Sequence, residues 1–236
     1  MAGRVTVDPT PRSRLGGHRQ SQTSGDGSDR MEPLPTGISA LDREFGGGIP
    51  SGSVVALEAD PASQSELILD RLARVRECRY VTTVRAVDAV EASLTLDDEG
   101  DETVVEDATG DDPFATALDA AAELSERGTI VVDSVGPLES DDRAEYGAFL
   151  GDLRQSVDDV DGLAVLHALK GGGADRNRVV TEQIADVVFD LRTAVTGTEI
   201  VNRLIVPKFR GGAALEEPLK LKLTDSVSVD TSRDIA

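Results

Sequence analysis

Apolar residues in this chain fall into short uninterrupted runs that alternate with stretches of helical periodicity from Leu34 onward. Ser53–Leu57 (SVVAL) is apolar at nearly every position, as a strand covered on both faces must be. Ser63–Arg76 places Leu67, Leu69, Leu72 and Val75 at helical intervals and predicts a helix. Arg79–Val84 predicts a second strand, Ala86–Leu94 a short helix, and Thr103–Val105 a minor strand within an acidic loop at 97–112. Pro113–Arg127 predicts an amphipathic, Ala-rich helix, Thr129–Asp133 a strand, Asp141–Val157 a helix and Leu163–His167 another strand. Such alternation predicts an α/β fold with a mostly parallel sheet and helices on both faces. Beyond Val180 the helical pattern fades. Ala185–Arg192, Ile200–Pro207, Leu219–Leu223 and Val227–Asp230 predict strands, with turns at Thr196–Gly197 and Gly211–Gly212. The alternation LKLKL at 219–223 fits a half-exposed antiparallel strand, so the C-terminal end should be β-rich and antiparallel.

Residues 1–30 are rich in Gly, Ser, Arg and Pro and lack periodicity, so a disordered tail is expected there, with Met31 an alternative start. Residues 31–236 are expected to form one domain. Composition adds two constraints. The 236 residues carry a formal charge of -20, and Lys occurs only at Lys170, Lys208, Lys220 and Lys222. An acidic, Lys-poor surface resembles that of halophilic proteins, for which molar salt shortens the screening length to about 3 Å. It also argues against non-specific nucleic-acid binding, which needs a basic footprint. Cys78 is the lone cysteine, so no intramolecular disulfide can form. With no apolar run approaching a membrane span and no secretory signal, a cytoplasmic location is expected.

The candidate chemistry lies around the first strand. Residues 34–57 read LPTGISALDREFGGGIPSGSVVAL. This string closely resembles the opening of KaiC/RadA-like ATPases of the RecA superfamily, through Thr36, Gly37, Leu41, Asp42, the triplet Gly46–Gly48, Pro50, Gly52 and Ser53. The resemblance implies a RecA-like P-loop NTPase fold. In that family a G-x-x-x-x-G-K-[ST] loop follows the strand, its backbone N–H groups and Lys holding phosphates and its hydroxyl holding Mg²⁺. Here the loop reads Glu58-Ala59-Asp60-Pro61-Ala62-Ser63-Gln64-Ser65. Glu58 and Ser63 stand for glycines, Gln64 stands for the Lys, and only Ser65 matches. A carboxylate about 6 Å from a phosphate charge opposes it by roughly 3 kcal/mol at an effective dielectric of about 20. Ser63 and Glu66 also have the spacing of a capping box, which would fill the helix start from within.

The resemblance extends to Asp133, as the Mg²⁺-orienting carboxylate with Ser65, and to Val84 and Arg85, which stand where active relatives carry Glu. Neither Val84 nor Arg85 can act as a general base. Lys208, Phe209 and Arg210 resemble the segment that reaches a neighbour's nucleotide in hexameric relatives, a trans-acting finger candidate. His167 ends a strand where relatives often carry a polar sensor, and Arg176, Asn177 and Arg178 follow the Gly171–Gly173 run in a region whose loops touch DNA in DNA-binding relatives. Together these residues imply a degenerate ATPase with ATP and Mg²⁺ weak or absent. It would act as a regulatory or interaction module with itself or an active KaiC/RadA-like paralogue. Alternatives are an ATP-binding ATPase with an atypical loop, or a DNA-associated recombination accessory factor or transcriptional regulator.

Overall fold

A computed structural model describes residues 32–94, 103–171, 176–212, 215–224 and 226–229. The tail expected at 1–30, residues 95–102 of the acidic loop, Gly172, Gly173 and Asp230 lie outside the described residues. The strands are β1 Ser53–Ala59, β2 Cys78–Thr82, β3 Thr103–Asp107, β4 Thr129–Asp133, β5 Leu163–Leu169, β6 Val187–Thr196, β7 Glu199–Phe209, β8 Leu219–Leu223 and β9 Val227–Val229. The helices are α1 Ser39–Glu44, α2 Glu66–Arg74, α3 Val87–Leu94, α4 Pro113–Ala122, α5 Gly136–Glu139, α6 Arg143–Asp159 and α7 Arg178–Ile184.

One sheet runs in the order β3-β2-β4-β5-β1-β6-β7-β8-β9. Pairing is parallel from β3 through β6 and antiparallel from there to β9. The expected α/β architecture and antiparallel C-terminal end are therefore present. Each central strand feeds both faces. Val55, Leu57, Tyr80, Val131 and Val165 pack with Leu41, Leu69 and Leu72 on one side. Val54, Val81, Val132 and Ala164 pack with Phe114, Phe149, Leu150 and Leu153 on the other. That double burial is why these strands read as unbroken apolar runs.

The motif at 34–52 is a buckle at the start of β1. Leu34 and Ile49 exchange backbone hydrogen bonds of 2.6 and 2.8 Å. Gly48 has φ +136, and a Cβ there would lie 2.0 Å from the Leu34 carbonyl oxygen, so only glycine admits this approach. Asp42 accepts 2.7 Å bonds from both the N–H and the hydroxyl of Thr36, which ties α1 to the incoming chain.

Helix α2 differs from expectation at its start. Its first helical residue is Glu66, and the residue before it, Ser65, is already αR. The hydroxyl of Ser63 instead donates to the Asp60 carbonyl at 2.6 Å, closing a turn. Glu66 therefore occupies the first helical position rather than the third, and the expected capping box is not formed. The buried face is Ile68, Leu69, Leu72 and Ala73, with Leu67 and Val75 only partly covered.

Candidate functional site

The 58–65 loop joins the carboxyl end of β1 to α2, the end at which ligands bind in open α/β sheets. Its one family-matching residue, Ser65, is buried to 1% exposure. The Ser65 hydroxyl lies 3.0 Å from Nε2 of His167, and Nδ1 of His167 lies 2.6 Å from Oδ1 of Asp133. Strand register makes this contact: His167 on β5 is the direct partner of Asp133 on β4. The second oxygen of Asp133 accepts from the Tyr80 hydroxyl at 2.6 Å and from Nη2 and Nε of Arg85 at 2.8 and 3.2 Å. The sequence therefore points to Ser65, Asp133, His167 and Arg85 separately, and the fold joins all four. Tyr80 carried no sequence signal beyond its place in an apolar strand; its position two residues before the register partner of Asp133 puts it on the same face.

Burial pushes the Asp133 carboxyl up, but the hydrogen bond and charge of His167, the Tyr80 hydroxyl and the Arg85 guanidinium together outweigh it and hold it down at about 2. Burial, then the charge of Asp133, push the Tyr80 hydroxyl well above its ordinary range, so it stays a donor. Arg85 is turned inward as the counter-charge of a buried carboxylate. Its backbone is pinned too, since Thr82 donates its hydroxyl to the Arg85 carbonyl at 2.8 Å. Val84 beside it is exposed.

Glu58 is directed elsewhere than the phosphate position. It faces α7, where Glu182 and Arg178 surround it, with Asp190 across the β1–β6 pairing. Burial first, and the neighbouring Glu182 next, raise its carboxyl above the usual range. Its direction toward α7, rather than its charge, is what separates Glu58 from the phosphate position. No hydrogen bond from the N–H groups of Gln64, Ser65 or Glu66 is formed among the described residues. Beside Ala62, Ser63 and Gln64 opens a cleft of about 870 Å³, whose other walls include Ile200, Lys220, Lys222 and Thr224.

The 208–210 segment closes β7, with Lys208 paired to Val188, the register partner of Ala56 in the middle of β1. Phe209 pairs with Val187, which is itself the register partner of Val55 near the amino end of β1. Lys208 donates to the carbonyls of Glu182 and Gln183 at the end of α7, at 2.7 and 3.0 Å. Phe209 stacks on Phe45 with ring centroids 4.7 Å apart. Arg210 reaches Asp186 at 3.3 Å and the Gln183 carbonyl at 3.1 Å. Arg178 forks onto the fully buried Glu139 at 2.8 Å and binds carbonyls at the end of β5. It is a structural clamp for α7, which removes it from the expected DNA loop; Arg176 remains exposed.

Residues 33–236 match a family described as a family of unknown function (DUF7125). The chain belongs to this family. No curated protein matches the sequence. Among solved structures, the KaiC-like protein PH0186 from the hyperthermophilic archaeon Pyrococcus horikoshii OT3 is similar in fold. Its TM-score is 0.68 at 15% identity, covering 85% of this chain and 99% of that one. The family member described here thus has a KaiC-like, RecA-type fold. Among its described residues no helix is long and apolar enough to cross a membrane, and no cluster of three or more His, Cys, Asp or Glu is arranged to hold a metal.

Proposed function

We propose that this chain is a non-catalytic RecA/KaiC-like module that works by assembling with itself or with an intact KaiC/RadA-like paralogue. The observation that carries this reading is the inward Arg85–Asp133 pair. The residues present do not fit a bound Mg²⁺. Both oxygens of Asp133 are engaged by His167, Tyr80 and Arg85, and the Ser65 hydroxyl is on the His167 imidazole. A cation entering here would displace a guanidinium from a carboxylate that is only 5% exposed. With the Arg85 side chain 32% exposed, separating this pair costs about 2–3 kcal/mol, less than the loss of a fully buried pair. Gln64 supplies no positive charge in exchange, and Arg85 stands where a base would have to act. A contact of Lys208 and Arg210 with a neighbouring subunit requires them to exchange their present partners, the Glu182 and Gln183 carbonyls and the Asp186 carboxylate, for that neighbour. The net charge of -20 disfavours DNA as the partner.

A second reading has one observation in its favour. The free N–H groups of Gln64, Ser65 and Glu66, beside a cleft containing Lys220 and Lys222, offer a phosphate a metal-independent seat. One preparation separates the two. The purified full chain is assayed for ATP turnover and for binding of a non-hydrolysable ATP analogue with and without Mg²⁺, alongside light scattering for mass. The first reading expects no turnover, no Mg²⁺-dependent binding and a mass or captured paralogue above the monomer. Turnover that collapses in Asp133→Ala overturns it. Binding that ignores Mg²⁺ and Asp133→Ala supports the second.

A further inference from the structure

A second cavity shares no lining residue with the cleft beside the 58–65 loop and is built from α1, α2, β8 and β9. It encloses about 520 Å³ between α1, α2 and the edge strand β9, within the range of small-molecule sites. Its apolar wall is Ile38, Leu219, Val227 and Val229, and its polar rim carries Arg43, Arg71, Glu44, Ser39 and Ser228. β9 ends the sheet, so the outer edge of its backbone has no strand partner among the described residues.

The two arginines set this cavity apart. The chain has 44 acidic residues against 24 basic ones, so a guanidinium here ordinarily finds a carboxylate. Neither Arg43 nor Arg71 has an ion pair or side-chain hydrogen bond among the described residues. The acids nearest them in sequence are committed elsewhere: Asp42 accepts from Thr36, and Asp70 pairs with Arg74 at 2.8 Å. Glu44 shares the rim without pairing with either. Two contacts position the α1 side of the cavity. The Thr36–Asp42 bonds orient α1. Gly37, at φ +77, lets the preceding turn press on α2, where a Cβ would lie 2.7 Å from the Arg71 carbonyl oxygen.

We propose that this cavity binds a small organic anion, its acid group held by Arg43 and Arg71 and its aliphatic body laid on Ile38, Leu219, Val227 and Val229. A guanidinium fork suits both carboxylate and phosphate heads, and the apolar wall rewards a carbon chain that a bare inorganic ion lacks. This site is independent of how residues 58–65 are read.

The test is calorimetric titration of the full chain with hexanoate, hexyl phosphate, hexanamide and inorganic phosphate, in wild type, Arg43→Gln and Arg71→Gln. Arg43 is exposed, so its substitution leaves the fold intact and serves if Arg71→Gln is unstable. The expected result is saturable binding of one or both hexyl anions, weakened about tenfold or more by either substitution, with hexanamide and inorganic phosphate far weaker. Hexanoate against hexyl phosphate tells which head group is preferred. The proposal is overturned if neither hexyl anion binds up to about 10 mM. It is overturned equally if hexanamide matches hexanoate, or if Arg43→Gln and Arg71→Gln leave both affinities unchanged.

Discussion

The Arg85–Asp133 pair makes a quantitative prediction. Arg85→Leu removes two donors from a carboxylate whose side chain is 7% exposed, leaving His167 and Tyr80 to hold the charge. Removing one partner of a fully buried pair costs about 3–5 kcal/mol. The Arg85 side chain is 32% exposed and water can partly replace it, which brings the expectation down to about 2–3 kcal/mol. For a chain of this size that lowers Tm by roughly 5–10 °C. Asp133→Asn removes the charge and should cost a comparable amount by leaving the guanidinium unpaired. The double variant leaves neither charge stranded, so its loss should fall short of the sum by about 2 kcal/mol. Urea unfolding followed by far-UV circular dichroism, at one fixed salt concentration, measures all four proteins. If the coupling is below about 0.5 kcal/mol, or Arg85→Leu unfolds at the wild-type midpoint, Arg85 is a surface residue and the reading of an internally compensated site falls.

Three further outcomes follow from the same geometry. The Asp133 carboxyl sits at about 2 in the folded chain against an ordinary 3.8, so the stability it adds is present above pH 4 and is lost as pH falls toward 2. The gap is worth roughly 2 kcal/mol, and acid titration of the unfolding free energy should be flatter in Asp133→Asn across that window. Gly48→Ala should destabilise by about 3 kcal/mol or more, since its Cβ would overlap the Leu34 carbonyl; a midpoint near wild type in urea would show that the buckle relaxes freely. Burial, only partly opposed by Arg76, pushes the Cys78 thiol up to about 12, so a thiol-reactive disulfide reagent should label it only when the chain unfolds, and rapid native labelling would contradict its packing.

What could be read from the sequence follows from what is local. The strands around 53–59, 129–133 and 163–169 were legible because both of their faces are buried, which leaves no polar position to blur the run. Helices α1, α5 and α7 went unseen because each is at most seven residues and is held by contacts distant in sequence. Arg178 to Glu139 spans 39 positions. The start of α2 was misplaced because the Ser63 hydroxyl had two uses, a helix cap or a turn closed on the Asp60 carbonyl, and local pattern weighs only the first. Arg85 was visible as the absence of a base. Its role as a counter-charge required the β2–β4 register that brings it across 48 positions to Asp133.

These two halves of the site also correct where the electrostatic weight lies. From sequence, the case against a bound triphosphate rested on acid in the loop. In the fold Glu58 turns toward α7, where Arg178, Glu182 and Asp190 surround it, so it opposes a phosphate in the loop less directly than its place in the sequence suggests. The divalent cation's place is the stronger obstacle, because one carboxylate already has a guanidinium and an imidazole on it. A nucleotide site without its cation binds charge but cannot disperse it at the moment of phosphoryl transfer. The proposed loss of catalysis therefore stands on Asp133 and Arg85 rather than on Glu58. Restoring a lysine at Gln64 alone should recover nucleotide binding before any turnover.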